Sequence, residues 1–307
     1  MVPENTTSPV SSRRLLVRAE EAGKRLDLLL AERLPELSRR RARLLITAGA
    51  VWVDGRRVLV QSRSVGAGQE VVCHLQSFAP AEAQTREPLT ILYEDGSLLA
   101  VDKPAGMPSH PTYARKRGTA LQVVEAELRR REGRKVLLWP LHRLDTGTSG
   151  VFLFAKARAA ARAVNQNFAR RRVTKRYHAL VRGVPATASG EIRVALAEGH
   201  LRSEASATGK EAVTRYEVLE AFSDAALLGI EPLTGRMHQI RVHLAAIGHP
   251  VFGDSKYGGE AERETDARLM LHASALSLPH PLDGRPFAVE SPLPEDFRTF
   301  LARLRAR

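Results

Sequence analysis

His142-Arg143-Leu144-Asp145-Thr146-Gly147-Thr148-Ser149-Gly150 lies between two apolar runs, Lys135–Leu141 and Val151–Ala155. Each run is short and bounded by polar or turn-forming residues, which predicts a buried strand on either side. The nonapeptide is then a tight polar turn carried on a sheet. A lone carboxylate in such a turn either caps its own backbone, as Asp often does, or is aimed by a rigid scaffold at a substrate. Asp145 is that carboxylate, and the surrounding sequence decides between the two.

Working outward, strands are expected at 89–93 and 98–101 around the turn Glu94-Asp95-Gly96-Ser97. A rigid loop, Asp102–Pro108, follows, built by two prolines and a glycine. Thr119–Arg131 and about Ala157–Ala169 read as helices. Val173–Val181 reads as a strand entered through Arg170-Arg171-Arg172. More strands are expected near 190–196, 213–220, 225–231, 270–275 and 286–290, with a last helix from Glu295. Within His238–Ile247, the residues Ile240, Leu244 and Ile247 recur at helical spacing and Gly248 supplies the stop. The mixture predicts an α+β domain over 89–307: a mixed, mostly antiparallel sheet with flanking helices.

Residues 14–76 read as a separate, smaller αβ module. Arg25–Leu34 is a short amphipathic helix stopped by Pro35, and Ser38 is a good N-cap for a second helix that Gly49 ends. On that second helix Ala42, Leu45 and Ile46 share one face, while Arg39, Arg40 and Arg43 lie together on its neighbour. Asp54-Gly55 between Val51-Trp52-Val53 and Arg56–Val60 is a strong hairpin signal, and Glu70–Leu75 alternates like a strand. The segment 13–76 carries 13 Lys and Arg against 7 Asp and Glu. Residues 77–88, with two prolines and no periodicity, read as a linker, and residues 1–13 as a disordered tail without the apolar core of a secretory signal.

The chain has 307 residues, enough for two domains, and its net charge of +13 with a pI near 10.5 favours a polyanionic partner, nucleic acid first. No apolar run approaches the ~18 residues of a membrane span. The single cysteine, Cys73, excludes an internal disulfide and reads as a small buried hydrophobe. A cytoplasmic location is expected. No phosphate-binding loop and no dinucleotide fingerprint is present. His238 and His243, five apart, sit ~140° apart on a helix, and no zinc-type spacing occurs, so no metal is expected.

Four motifs occur in order: Asp102-Lys-Pro-Ala-Gly106, His142-Arg-Leu-Asp-x-x-Thr-Ser-Gly150, Thr234-Gly-Arg-Met-His-Gln-Ile-Arg-Val-His243 and Gly248-His-Pro-Val-Phe-Gly-Asp254. Together they resemble the motif set of the RluA-type pseudouridine synthases, over about residues 89–305. Residues 14–76 resemble the S4 RNA-binding module, a common N-terminal partner in that family. The resemblance implies isomerisation of uridine to pseudouridine in structured RNA. Large-subunit ribosomal RNA is the expected substrate, with transfer RNA as an alternative. Substrate and product have the same atoms, so no cofactor is implied.

The resemblance assigns Asp145 as the catalytic carboxylate, acting at ribose C1′ or C2′. Arg241 is its expected cationic partner, and a nearby Arg favours an ionised Asp. Tyr177 is expected to stack on the uracil, with Leu271 as the opposite apolar wall. Arg143 would enter the space that the extruded base leaves, a role that suits a planar cation able to stack and to hydrogen-bond. His142 and Thr148 belong to the same substrate-binding turn. Arg39, Arg40, Arg43, Arg56 and Arg57 would meet RNA phosphates. A monomer is expected. The competing reading is a non-catalytic RNA-binding or ribosome-assembly factor on the same scaffold.

Overall fold

The computed structural model of the protein describes residues 12–47, 51–58, 60–74, 89–111, 118–199, 202–263 and 267–306. They fall into two compact units, divided between the residues up to 74 and those from 89 onward. The expected linker 77–88 and most of the expected tail lie outside the described residues.

The first unit runs β1 (Ser12–Leu16), α1 (Leu26–Arg33), α2 (Arg39–Thr47), β2 (Val51–Val53), β3 (Arg56–Arg57) and β4 (Glu70–His74). Its strands form an antiparallel sheet in the order β1-β4-β2-β3. Ser38 caps α2 as expected, its Oγ accepting from the Arg41 amide at 3.3 Å. The β2–β3 turn has Asp54 at φ 51° and Gly55 at φ 72°, the doubly left-handed turn that Asp-Gly favours. Ala42, Leu45 and Ile46 are buried against Leu26, Leu29 and Leu30 of α1. Cys73 lies in the same core, where burial pushes its thiol up to about 11. Two expectations need correction. Ser12 and Arg13, assigned to the tail, are paired in β1 with β4, and β3 stops at Arg57 rather than Val60.

Arg39 and Arg43 do not simply face solvent. Both hydrogen-bond the buried Asp27 of α1, at 3.3 and 2.7 Å, and Arg25 joins them at 3.0 Å. Burial alone would raise the Asp27 pKa, but the hydrogen bonds from Arg25, Arg43 and Arg39 outweigh it and hold the carboxyl well below 3.8. The folded pKa is therefore below the unfolded one. The contribution to stability is complete above 3.8 and is lost as pH falls below that value. Asp27→Asn is expected to remove that acid-side loss, which amounts to about 1 kcal/mol once solvent around the half-exposed arginines is allowed for. Urea midpoints of both chains between pH 6 and about 2.5 check it. Parallel pH profiles would contradict it.

The second unit runs β5 (Ile91–Glu94), β6 (Leu98–Lys103), α3 (Ala120–Glu132), β7 (Trp139–Pro140), β8 (Ser149–Ala155), α4 (Arg158–Ala169), β9 (Thr174–Arg182), β10 (Ser189–Arg193), β11 (Leu196–Glu198), β12 (Ser203–Ala205), β13 (Val213–Ala221), β14 (Ala225–Pro232), α5 (Gln239–Ala246), α6 (Gly259–Arg263), β15 (Leu271–Pro279), β16 (Pro286–Glu290) and α7 (Glu295–Arg305). The main sheet has the order β10-β13-β14-β9-β15-β8-β6-β5, with β16 beside β15 and β7 beside β8. Among the described residues, only β15 and β8 pair in parallel. The architecture is the expected α+β, mostly antiparallel.

β8 explains why its sequence is a continuous apolar run. Phe152 and Phe154 pack on one face with α3, and Val151, Leu153 and Ala155 pack on the other with α4. Each fully buried Phe contributes about 1.5–3 kcal/mol. The strand begins inside the nonapeptide, at Ser149. Gly150 has φ 110°, and a Cβ there would stand 2.1 Å from the Ala273 carbonyl oxygen of β15, so the close pairing at the sheet centre needs glycine. Upstream, the expected strand 135–141 shrinks to Trp139–Pro140. Val136 and Leu138 are buried and Leu137 is exposed. The strand-like alternation is real, but 135–138 lies on the core without a ladder. Asp102 and Lys103, expected in a loop, end β6. The two-stranded sheet of β11 and β12 was not anticipated from sequence.

Candidate active site

The nonapeptide loop is held from below. Ser109 Oγ donates to the Leu144 carbonyl at 2.7 Å and accepts from the Leu144 amide at 2.9 Å. The buried Lys103 donates to the carbonyls of Met107 (2.8 Å) and Pro104 (3.0 Å) and reaches that of Thr146 (3.5 Å), beside Asp145. Burial brings the Lys103 pKa down to about 7, while the Asp145 charge opposes that fall. His142 Nε2 accepts from the Leu153 amide of β8 at 3.1 Å, and burial lowers its pKa to about 3, so the ring is a neutral brace.

Arg241 arrives from α5. The entry to that helix is fixed by Gln239, which donates to the Val213 carbonyl and to Thr214 Oγ1 and accepts from Thr234 Oγ1 and the Arg236 amide. His238 precedes it in the left-handed region, φ 56°, an uncommon conformation for a non-glycine residue. The Arg241 guanidinium then divides its donors. Nε and Nη2 meet Asp254 at 2.8 and 2.7 Å, and Nη1 meets Asp145 Oδ2 at 3.0 Å. Asp254 is 1% exposed, Arg241 11% and Asp145 16%. Burial works against the Arg241 charge, but Asp254 first and Asp145 second outweigh it and raise the pKa further. Asp254 also accepts from the amides of Lys256 and Tyr257, and Glu262 of α6 holds the preceding Gly253 amide.

A cavity of about 550 Å³ opens over this ion pair. His142, Arg143, Asp145, Thr148, Tyr177, Arg241 and Leu271 all line it. Its size falls in the usual range for small-molecule sites. Tyr177 is buried at its wall. Burial and then the Asp145 charge raise its pKa, so the hydroxyl stays protonated. Leu271 is buried on the neighbouring strand, diagonal to Tyr177 across the β9–β15 pairing. Arg143 is exposed at the rim. His238 puts Nε2 at 3.8 Å from Asp145 Oδ1 and Nδ1 at 2.8 Å from Tyr257 Oη.

In the first unit, Arg40 is exposed, whereas Arg39 and Arg43 share Asp27. The side chains of Arg56 and Arg57 lie outside the described residues. Sequence reasoning missed Lys103, Gln239 and Asp254 as supports, although the four motifs contain all three. It also missed Lys175 and Tyr257 as neighbours of the site.

A carboxylate fixed by one guanidinium at the floor of a cavity with an aromatic wall, in an α+β domain that follows a basic module in the chain, fits an enzyme that acts on a small organic group such as a nucleoside. The comparisons agree. A family model for RNA pseudouridylate synthase matches residues 97–246, and an S4 domain model matches 24–71. A ribosomal large subunit pseudouridine synthase D from Xylella fastidiosa is 38% identical over 314 residues, 96% of this chain and 93% of that protein. Its namesake from Haemophilus influenzae is 32% identical, over 94% of each chain. The solved human RNA pseudouridylate synthase domain containing 4 superposes with a TM-score of 0.61 at 29% identity, over 70% of this chain and 93% of that one. The chain belongs to the RNA pseudouridine synthase family, and it isomerises uridine to pseudouridine in RNA. No helix among the described residues is long and apolar enough to cross a membrane.

Proposed function

We propose that the substrate is large-subunit ribosomal RNA and that Asp145 is the catalytic carboxylate. The Arg241–Asp145 contact at the cavity floor carries this reading. A uridine leaves its stack, at a cost of a few kcal/mol, and Arg143 fills the gap. The uracil lies on Tyr177 with Leu271 opposite, while His142 and Thr148 shape the turn beneath it. Asp145 then works at the ribose, by attack on C1′ or by taking the C2′ proton. The bond from N1 to C1′ opens with its electron pair on the base, the base turns, and C5 bonds to C1′ as the Asp145–C1′ bond breaks or, on the other route, as the proton returns to C2′; the C5 proton then leaves and N1 gains one. Arg241 keeps the carboxylate in place against its own charge partner, Asp254.

The first unit, which begins with β1 at Ser12, supplies phosphate contacts from Arg39, Arg40, Arg43, Arg56 and Arg57, joined through a linker at 77–88 to a catalytic domain at 89–307. The enzyme works as a cytoplasmic monomer. The names of the Xylella and Haemophilus relatives support the choice of ribosomal RNA. Pseudouridine mapping of total RNA from a strain lacking the gene tests it. One or a few large-subunit uridines are expected to stay unmodified, with complementation by the wild-type gene. Loss confined to transfer RNA would overturn the substrate assignment.

A further inference from the structure

Among the described residues, Lys175 is a cation at the site without a carboxylate partner. It precedes Tyr177 by two residues on β9, and strand alternation sends both side chains to the cavity. Arg176 and His178 go to the opposite face, where they line a separate groove. Among the described residues the Lys175 Nζ has one hydrogen-bond neighbour, the Thr234 carbonyl oxygen at 3.5 Å, and forms no ion pair with any Asp or Glu. Three other cations of the unit, Lys103 fully buried and Arg241 and Lys156 partly so, have closer partners. Lys103 has three carbonyls, Arg241 has two carboxylates, and Lys156 has Glu94 at 2.9 Å. Burial pushes the Lys175 pKa down with no opposing charge to restore it, and its charge presses on the neutral His142. Half-buried at the cavity wall, the Lys175 ammonium has one long contact to the protein. Its unused N–H donors point to a ligand that brings negative charge.

We propose that Lys175 receives the negative charge that the uracil ring acquires when its bond to ribose opens. The inference rests on the placement of the uridine against Asp145 and Tyr177 given above. When the N1–C1′ bond breaks, the electron pair stays with the base and spreads from N1 onto O2 and O4. A ring stacked on Tyr177 brings a carbonyl oxygen toward the next cavity-facing side chain of the same strand, which is Lys175. The ammonium stabilises the detached ring while it turns. The pair then returns from C5 to C1′ as Asp145 leaves C1′ or gives the proton back to C2′, the C5 proton leaves and N1 is protonated, so the product is an isomer. Asp145 serves the sugar and Lys175 the base, and the cation gains most where charge develops.

The test compares full-length wild type, Lys175→Met and Asp145→Asn in single turnover with enzyme in excess over RNA. Lys175→Met is expected to slow the reaction roughly 10²–10³-fold, with the Kd for RNA within about twofold and a thermal midpoint no lower than wild type. RNA carrying 5-fluorouridine at the target separates charge stabilisation from a merely structural role. Fluorine stabilises the ring anion by itself, so the deficit in N1–C1′ cleavage should shrink at least tenfold. The fluorinated ring has no C5 proton to lose and halts after the C1′–C5 bond forms, so cleavage of the original bond is the readout. Equal deficits on both RNAs overturn the inference. So does a weakened Kd with a salt slope smaller by about one and a normal rate at saturation, which makes Lys175 a phosphate contact. An active Asp145→Asn would instead overturn the underlying reading. A wild-type-like Lys175→Met beside an inactive Asp145→Asn removes this inference alone.

Discussion

Asp145→Asn is expected to abolish pseudouridine formation, by roughly 10⁴-fold or more in single turnover, while folding and RNA binding persist. Asn has the same shape but cannot attack C1′ or hold a proton from C2′, so both routes fail. The fold tolerates the change because Arg241 keeps its paired contact with Asp254 at 2.8 and 2.7 Å. The loop itself is held by Ser109 and Lys103 rather than by the carboxylate. The change in unfolding free energy should stay within about 1 kcal/mol, and the Kd for RNA within about threefold. Mass-spectrometric or chemical detection of pseudouridine in the bound RNA measures the rate, and filter binding measures the affinity. Turnover within tenfold of wild type would return Asp145 to the role of a turn-capping residue. It would also revive the reading of a non-catalytic RNA-binding factor.

The turn carrying Asp145 was legible because its signals are local: an apolar run, a cluster of turn residues, and an apolar strand buried on both faces. The contact that matters is not local. Asp145 and Arg241 are 96 positions apart, and motif resemblance, not periodicity, linked them. The helical wheel of α2 separated its apolar and basic faces correctly. It had no view of Asp27 on the preceding helix, so Arg39 and Arg43 read only as phosphate contacts, although both half-exposed side chains also converge on one buried carboxylate. Lys175 was hidden for a related reason. In the string Arg170–Arg176 it is one more basic residue, and only the strand alternation of β9 divides it from Arg176 and turns it inward. The segment 135–138 shows the opposite failure. Its alternation is that of a strand, yet alternation reports burial and not hydrogen bonding, and only Trp139 and Pro140 join the sheet. Asp254 stood in a quoted motif without a role, because nothing in the sequence reveals that it takes two of the donors of Arg241.

Arg241→Met is expected to damage both stability and activity, and the two losses should separate. The guanidinium is the shared partner of two carboxylates, of which Asp254 is 1% exposed. Removing one partner of a buried pair costs about 3–5 kcal/mol, because a charge is left uncompensated. The backbone amides that still reach Asp254 place the expected loss near the lower end. Activity should fall roughly 10³-fold at temperatures where the variant is still folded, since Asp145 loses the donor that orients it. Adding Asp254→Asn to this variant removes the stranded charge. The double variant should regain most of the urea midpoint and none of the rate. Arg241→Lys keeps a positive charge, but an ammonium cannot present parallel donors to Asp254 while also reaching Asp145, so it should be partly stable and poorly active. If the double variant recovered rate in step with stability, Arg241 would act on the fold alone, and the orientation of Asp145 would have to come from elsewhere in the loop.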